Sequence, residues 1–146
     1  MPLFWLSLAC LAGIVLASLL FLPVWLWTAV SPQTWGPARA SATAGGVTVT
    51  ATASASTIEW RMGDGHAVTC TSPGTAYSPT AGGGSSPDCG YTYAAPSSGQ
   101  PGGVYTVTAV TTWQVRWAGG GQNGALTVTR QSSTQLQVRE LAVVNG

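Results

Sequence analysis

The chain has no lysine and little charge of either sign. Its 146 residues include five basic side chains, all arginine, four acidic ones and one histidine, for a net charge of +1. So little charge creates no overall field that would attract nucleic acid or an acidic substrate. A P-loop is excluded because its lysine, which reaches the phosphates, is missing. We therefore expect neither nucleic-acid nor nucleotide binding.

Groups for catalysis or metal binding are also scarce. His66, the only histidine, follows Asp64 by two residues at the end of a turn, where an aspartate commonly stabilises the turn itself. A pair of glycosidase carboxylates would have to come from Glu59, Asp64, Asp88 and Glu140, whose contexts are ordinary. Zinc lacks ligands once the downstream cysteines pair, and calcium would have only two carboxylates, Asp64 and Asp88. We expect no enzymatic activity, no cofactor and no metal.

The N-terminal segment is a long apolar run. Residues 3–22 carry no charge and are mostly apolar. As a helix they would cross a hydrocarbon core of about 30 Å, and Pro23 would end that helix. A basic n-region is missing, so residues 1–22 are predicted to be an uncleaved transmembrane signal-anchor helix in the lipid bilayer. A cleaved signal peptide, giving a secreted protein, and a misplaced start are the alternatives.

Three cysteines bear on the compartment. Cys10 lies inside the apolar run, whereas Cys70 and Cys89 bracket a loop rich in glycine, serine and proline. Two cysteines around such a loop indicate one disulfide, which requires an oxidising compartment. The C-terminal domain is therefore predicted to lie outside the cytoplasm, behind a single membrane pass. Two reduced thiols are the alternative.

The rest of the chain reads as all-β. Val24–Thr28 is predicted as a first strand close to the membrane, or else its tryptophans form an aromatic belt. Residues 31–44 read as a linker within a juxtamembrane region, 23–46, and residues 47–146 as an antiparallel β-sandwich of the immunoglobulin type. Alternation and turn residues predict strands over 47–53, 57–62, 67–70, 90–94, 105–117, 126–130 and 135–144.

One turn and one tryptophan stand out along these strands. Gly63-Asp64-Gly65 predicts a tight structural turn, because glycine tolerates positive φ and aspartate bonds its own backbone. Trp60 and Trp113 alternate with polar residues and are expected in the core. Trp117, near the end of its strand, is the candidate for an exposed binding aromatic.

Three motifs together resemble the PKD (polycystic kidney disease) domain: Trp60-x-Met62-Gly63-Asp64-Gly65, Gly90-Tyr91-Thr92-Tyr93 and Gly103-Val104-Tyr105-Thr106-Val107-Thr108. Met62 stands where that family usually has phenylalanine, and the segment between Cys70 and Cys89 is not a general feature of it. The resemblance implies an immunoglobulin-like sandwich for adhesion, spacing or binding, with no catalytic residues.

The chain is more closely similar to an uncharacterised group of actinobacterial secreted or membrane proteins built on this module. The shared elements are Leu22-Pro23-x-Trp25, Val68-Thr69-Cys70 and Pro87-Asp88-Cys89-Gly90-Tyr91. In that group a longer region usually precedes the first element.

Two functions fit these observations. The first is a membrane-anchored extracytoplasmic interaction module, a non-catalytic accessory of an envelope or secretion-associated assembly. Its partners would be the bilayer, through residues 3–22, and an envelope protein. The alternative is a secreted module that binds cell-wall polysaccharide or another carbohydrate.

Overall fold

The described part of the chain is all-β, as predicted. The structure is a computed structural model that describes residues 6–7, 15–19, 22–78, 80 and 84–140, with residues 6–7 and 15–19 described by their backbone. Strands make up most of it, together with two short 3-10 helices, Ser97–Gly99 and Pro101–Gly103. The strands are β1 Leu6–Ser7, β2 Val15–Leu19, β3 Val24–Trp27, β4 Ala38–Ala44, β5 Val47–Arg61, β6 Ala67–Cys70, β7 Gly90–Tyr91, β8 Tyr105–Gly119 and β9 Gln122–Arg139.

The predicted membrane helix falls mostly on residues outside the described ranges. At Leu6–Ser7 and Val15–Leu19 the backbone forms strands where the sequence predicts helix: β1 pairs in parallel with β3, and β2 in parallel with residues 135–139 of β9. An apolar segment can satisfy its backbone N–H and C=O groups within a helix or across a sheet, and residues 6–7 and 15–19 do so across a sheet. Within the described ranges, no helix is long and apolar enough to cross a membrane.

The larger of two sheets is built on three long antiparallel strands in the order β9, β8, β5. Two short strands pair with different stretches of β5, one near each end of that long strand. β4 pairs with residues 47–53 of β5, and β6 pairs with residues 58–61 of the same edge. A register shift between Ala55 and Thr57 separates these two parts of β5. We call the end made of β4 and residues 47–53, 114–119 and 122–128 the distal sheet.

The hydrophobic core lies at the opposite end, where β3 of the smaller sheet packs against the larger one. Its buried members are Val24, Leu26, Ile58, Trp60, Met62, Cys70, Cys89, Tyr93, Tyr105, Val107, Leu136 and Val138. Residues of the distal sheet do not contribute to this cluster. Two layers around one core fit a β-sandwich, and the distal sheet extends beyond that core.

The first predicted strand forms at Val24–Trp27 and is buried throughout. Trp25 and Trp27 are only 5% and 9% exposed, and the Trp25 Nε1–H donates to the carbonyl of Gly84 at 2.9 Å. Both rings therefore lie in the protein interior, so they do not form the alternative aromatic belt.

The linker predicted over residues 31–44 is wrong at its C-terminal half. Ala38–Ala44 forms β4, which pairs along its whole length with β5. The composition of residues 31–44, which is rich in proline, glycine, alanine and serine, predicts a linker because these residues have low β-propensity or favour turns. Here the neighbouring strand supplies the hydrogen-bonding partner that local propensity does not reveal.

The last two predicted strands, 126–130 and 135–144, are parts of one long strand, β9. The interval between them, residues 131–134, is polar and interrupts the apolar alternation. It nevertheless pairs with residues 107–110 of β8, because backbone pairing does not require apolar side chains. Residues 141–144 lie outside the described ranges.

Candidate binding surface

The Gly63-Asp64-Gly65 turn joins β5 to β6 and is tied by its aspartate. The Asp64 Oδ1 accepts the backbone N–H of His66 at 3.0 Å, and its second oxygen accepts the Tyr91 hydroxyl. Gly63 and Gly65 have φ of 83° and 90°, and a Cβ at Gly63 would come within 2.6 Å of the Thr106 carbonyl. Asp64 thus acts as the centre of a turn.

Three tyrosines extend from this turn into the core. The rings of Tyr91 and Tyr93 meet edge to face at 5.0 Å, and those of Tyr93 and Tyr105 stack at 4.5 Å. The Tyr93 hydroxyl donates to the Met62 carbonyl at 2.7 Å, and the Tyr105 hydroxyl to the Ala95 carbonyl at 2.8 Å. Burial, with Asp64 adding to it, raises the pKa of all three phenols. They stay neutral at physiological pH and serve as structural hydrogen-bond donors.

His66 lies at the surface beside the turn, near the Asp64 carboxylate and the Tyr91 ring. Its side chain is 71% exposed, and its Nδ1 lies 3.4 Å from the Asp64 Oδ1. Asp88 belongs to a different network, in which it accepts the hydroxyls of Ser72 and Ser86 at 3.1 Å each. In the described ranges, no group of three histidine, cysteine or acidic side chains is arranged to hold a metal ion.

Cys70 and Cys89 form the predicted disulfide. Their Cα atoms are 5.9 Å apart, and both residues belong to the core. The bond ties the end of β6 to the residue before β7, so it connects the larger sheet to the smaller one.

A cleft at the edge of the core is small. It has a volume of about 150 Å³ and is lined by Trp60, Trp113, Thr34, Arg130 and neighbouring residues. Pockets for small organic ligands are typically about 300–1,000 Å³, so this cleft is too small for that role.

The larger accessible feature is one face of the distal sheet. Residues paired directly across antiparallel strands share a face, so the register places Ala51, Trp117 and Gly124 side by side. The same reading along the strands gives a face made of Ala38, Ala40, Ala42, Ala44, Val47, Val49, Ala51, Ala53, Val115, Trp117, Gly119, Gly124, Leu126 and, at its tip, Gln122. We call this the apolar face, and it carries no charged residue.

The apolar face is exposed beyond the point where the core ends. Trp113 is still covered, because a Cβ at Gly36 would lie only 3.0 Å from its ring. Farther out, Val47, Val49 and Leu126 are 45%, 38% and 47% exposed. Four strands about 4.8 Å apart and some six residues long present roughly 400 Å². Contiguous apolar patches of this size on a soluble protein commonly mark interaction sites.

Trp117 lies at the centre of the apolar face. A Cβ at Gly124 would come within 2.6 Å of the Trp117 indole, so the ring lies directly over the glycine backbone. The ring remains partly exposed. Gly124 therefore provides the space that lets a flat indole lie along the sheet.

The opposite face of the distal sheet is polar and hydroxyl-rich. Ser41 and Thr50 hydroxyls are 3.0 Å apart, and those of Thr43 and Thr48 are 2.8 Å apart. Two arginines, Arg39 and Arg116, also belong to this polar face.

The sequence predicts Trp117 as a candidate exposed aromatic, and the residue is half-buried in the structure, but the surface around it was not predicted. That surface needs β4, whose alternating alanines at 38, 40, 42 and 44 were the available signal. Strand register, which the sequence alone does not specify, then brings these alanines alongside Val49 and Ala51.

Comparison with known proteins gives no assignment: no protein-family model, no curated protein and no solved structure matches this chain.

Proposed function

We propose that this chain is a non-catalytic interaction module that works outside the cytoplasm as an accessory of an envelope or secretion-associated assembly. Its fold would be an immunoglobulin-like, PKD-like β-sandwich. The apolar run of residues 3–22 would hold it at the membrane, with the domain on the outer side.

The uncovered apolar face of the distal sheet carries this proposal. Sheets bury their apolar faces against a second layer, and Val47, Val49 and Leu126 are instead exposed. A partner protein with an apolar surface of its own would supply the missing layer. The low number of charged side chains also suits a domain that is held at a surface, because such a domain needs less electrostatic repulsion between copies to stay soluble.

The location outside the cytoplasm is supported by the Cys70–Cys89 disulfide, since such bonds persist in oxidising compartments. Attachment to the membrane is supported by the composition of residues 3–22. A spanning helix and the pairing of Val15–Leu19 with β9 exclude each other. A cysteine pair introduced at Ala17 and Gln137, which are partners in the strand register, distinguishes the two arrangements. A disulfide or crosslink between these positions supports the strand pairing, and its absence supports the spanning helix.

A photo-crosslinking residue introduced into the distal sheet tests the partner. Val49 and Leu126 lie on the apolar face, whereas Thr48 and Thr127 are their sequence neighbours on the polar face. In intact cells that produce the protein, we expect positions 49 and 126 to crosslink to one envelope protein of defined mass. Positions 48 and 127 are the matched controls and should not give that product.

Equal crosslinking from both faces would contradict the proposal, and so would the absence of any product from positions 49 and 126. Expression and solubility of the four variants can be compared directly, because all four positions lie outside the core.

Carbohydrate binding is a second candidate, favoured by the flat, partly exposed Trp117 ring on Gly124. Aromatic rings stack on the apolar faces of sugars, and Trp117→Ala would remove that platform. We expect the variant to lose retention on insoluble cell-wall polysaccharide, with Trp113→Phe as a buried control. If the wild-type protein is not retained, this candidate fails.

A further inference from the structure

Arg39 and Arg116 occupy matched positions on the polar face of the distal sheet. Thr52 of β5 pairs with Arg39 of β4 on one side and with Arg116 of β8 on the other. Directly paired residues share a face, so the two arginines flank one threonine. With strands about 4.8 Å apart, their Cα atoms are roughly 10 Å from each other.

An open depression is lined by both arginines and by Thr52. Its volume is about 660 Å³, and its lining combines Arg39, Thr50, Thr52, Arg116 and Asn123 with parts of Trp117 and Gly124. This is larger than the cleft beside the core. The lining combines two guanidinium groups with hydroxyl and amide groups, and contains no carboxylate.

The charge around this depression differs from that of the whole chain. The four acidic side chains, Glu59, Asp64, Asp88 and Glu140, all lie outside the distal sheet. Arg61 and Arg139 are already engaged, with Glu59 at 2.6 Å and Gln137 at 3.0 Å. Neither Arg39 nor Arg116 has such a partner within the described ranges. Although the net charge of the chain is near zero, the distal sheet therefore carries two guanidinium groups that have no acidic partner among the described residues.

We propose that this depression binds an acidic polysaccharide, with Arg39 and Arg116 each holding one carboxylate of the polymer. An arginine presents a planar fork that binds a carboxylate through two parallel hydrogen bonds. Thr50, Thr52 and Asn123 offer groups that can donate to or accept from sugar hydroxyls. Two carboxylates about 10 Å apart call for an extended chain of sugars, so monomers bind weakly.

The two arginines lie on the opposite side of the strands from Val49 and Leu126, although Trp117 and Gly124 contribute both to the depression and to the apolar face. The site requires neither the membrane segment nor the protein partner. Binding of the acidic polymer and crosslinking from positions 49 and 126 are therefore separate results, and either can fail alone.

The test is titration of the purified full chain with polygalacturonate. The double variant Arg39→Gln/Arg116→Gln is expected to weaken binding by about fivefold to tenfold, as for the loss of two exposed charged pairs. Arg61→Gln/Arg139→Gln removes the same charge elsewhere and should leave the affinity within about twofold. Dextran, as the neutral polymer, and free galacturonate should bind much more weakly than polygalacturonate.

Several results would overturn the proposal. Equal losses of affinity in the two double variants would mean a general charge effect. Undiminished binding by Arg39→Gln/Arg116→Gln would also contradict the proposal. So would an equal affinity of the wild-type chain for dextran, or no binding of polygalacturonate by the wild-type chain. Inorganic phosphate serves as a further probe, and a phosphate affinity that matches the polymer's would show simple anion binding instead. Both substituted arginines are exposed, so unfolding curves should be unchanged and a folding defect is detected separately.

Discussion

Leu136→Ala is expected to lower the free energy of unfolding by about 2–5 kcal/mol. The Leu136 side chain is 0% exposed and belongs to the core between the two sheets. Truncation removes buried methyl groups and leaves a cavity, because the strands around it are held by their backbone pairing. Since domains of this size are stable by only about 5–15 kcal/mol, the loss should be evident in a urea titration followed by tryptophan fluorescence.

Leu126→Ala is the matched control, because it makes the same chemical change in the same strand, β9. Leu126 is 47% exposed on the distal sheet, so the change should cost less than about 0.5 kcal/mol. Similar losses at the two positions would show that the core does not lie where we describe it. If Leu136→Ala does not fold, Leu136→Val should still report a loss of about 1 kcal/mol.

Removing the disulfide should cost about 3 kcal/mol, since it closes a loop with a sequence separation of 19 between Cys70 and Cys89. The bond restricts the unfolded chain and also joins the larger sheet to the smaller one. Alanine is used in the variant Cys70→Ala/Cys89→Ala because serine would bury an unpaired hydroxyl in the core. The measurement is the urea midpoint of the variant and of the wild-type chain, each with and without dithiothreitol.

The wild-type midpoint should fall in dithiothreitol, whereas that of the double variant should not change. The single variant Cys70→Ala should be as unstable as the double variant, because Cys89 has then lost the partner that closes this loop. A wild-type midpoint that does not respond to dithiothreitol after verified reduction would contradict a stabilising role for the disulfide.

The elements that the sequence predicted well are those with a strong local pattern. Tyr105–Trp117 alternates apolar and polar residues over a long stretch, and it forms most of β8. Gly63-Asp64-Gly65 combines glycine, which tolerates positive φ, with aspartate, which bonds nearby backbone N–H groups, and the chain turns there. Cys70 and Cys89 are the two cysteines outside the apolar run, so their pairing needed little further information.

The weaker predictions concern segments whose structure depends on a neighbour. Ala38–Ala44 looks like a linker by composition and becomes a strand because β5 pairs with it. Val15–Leu19 belongs to an apolar run, residues 3–22, that is long enough for a membrane helix, and in the structure Val15–Leu19 pairs with the end of β9. Residue patterns report which side chains prefer burial, but not whether lipid or protein covers them.

The candidate sites show the same division. Trp117 could be singled out from its position near a strand end, but its flat placement over Gly124 requires the pairing of β8 with β9. Arg39 and Arg116 are far apart in the chain and carry no common motif. They come together only because both pair with Thr52.

Local sequence therefore determined the all-β class, the main turn and the disulfide, because alternation, glycine conformation and cysteine chemistry act over a few residues. Tertiary structure decided where the core ends, which faces of the distal sheet are exposed and which arginines become neighbours. The physical reason is that strand pairing is made by backbone groups common to every residue, so its register is set by the packing of the whole sheet.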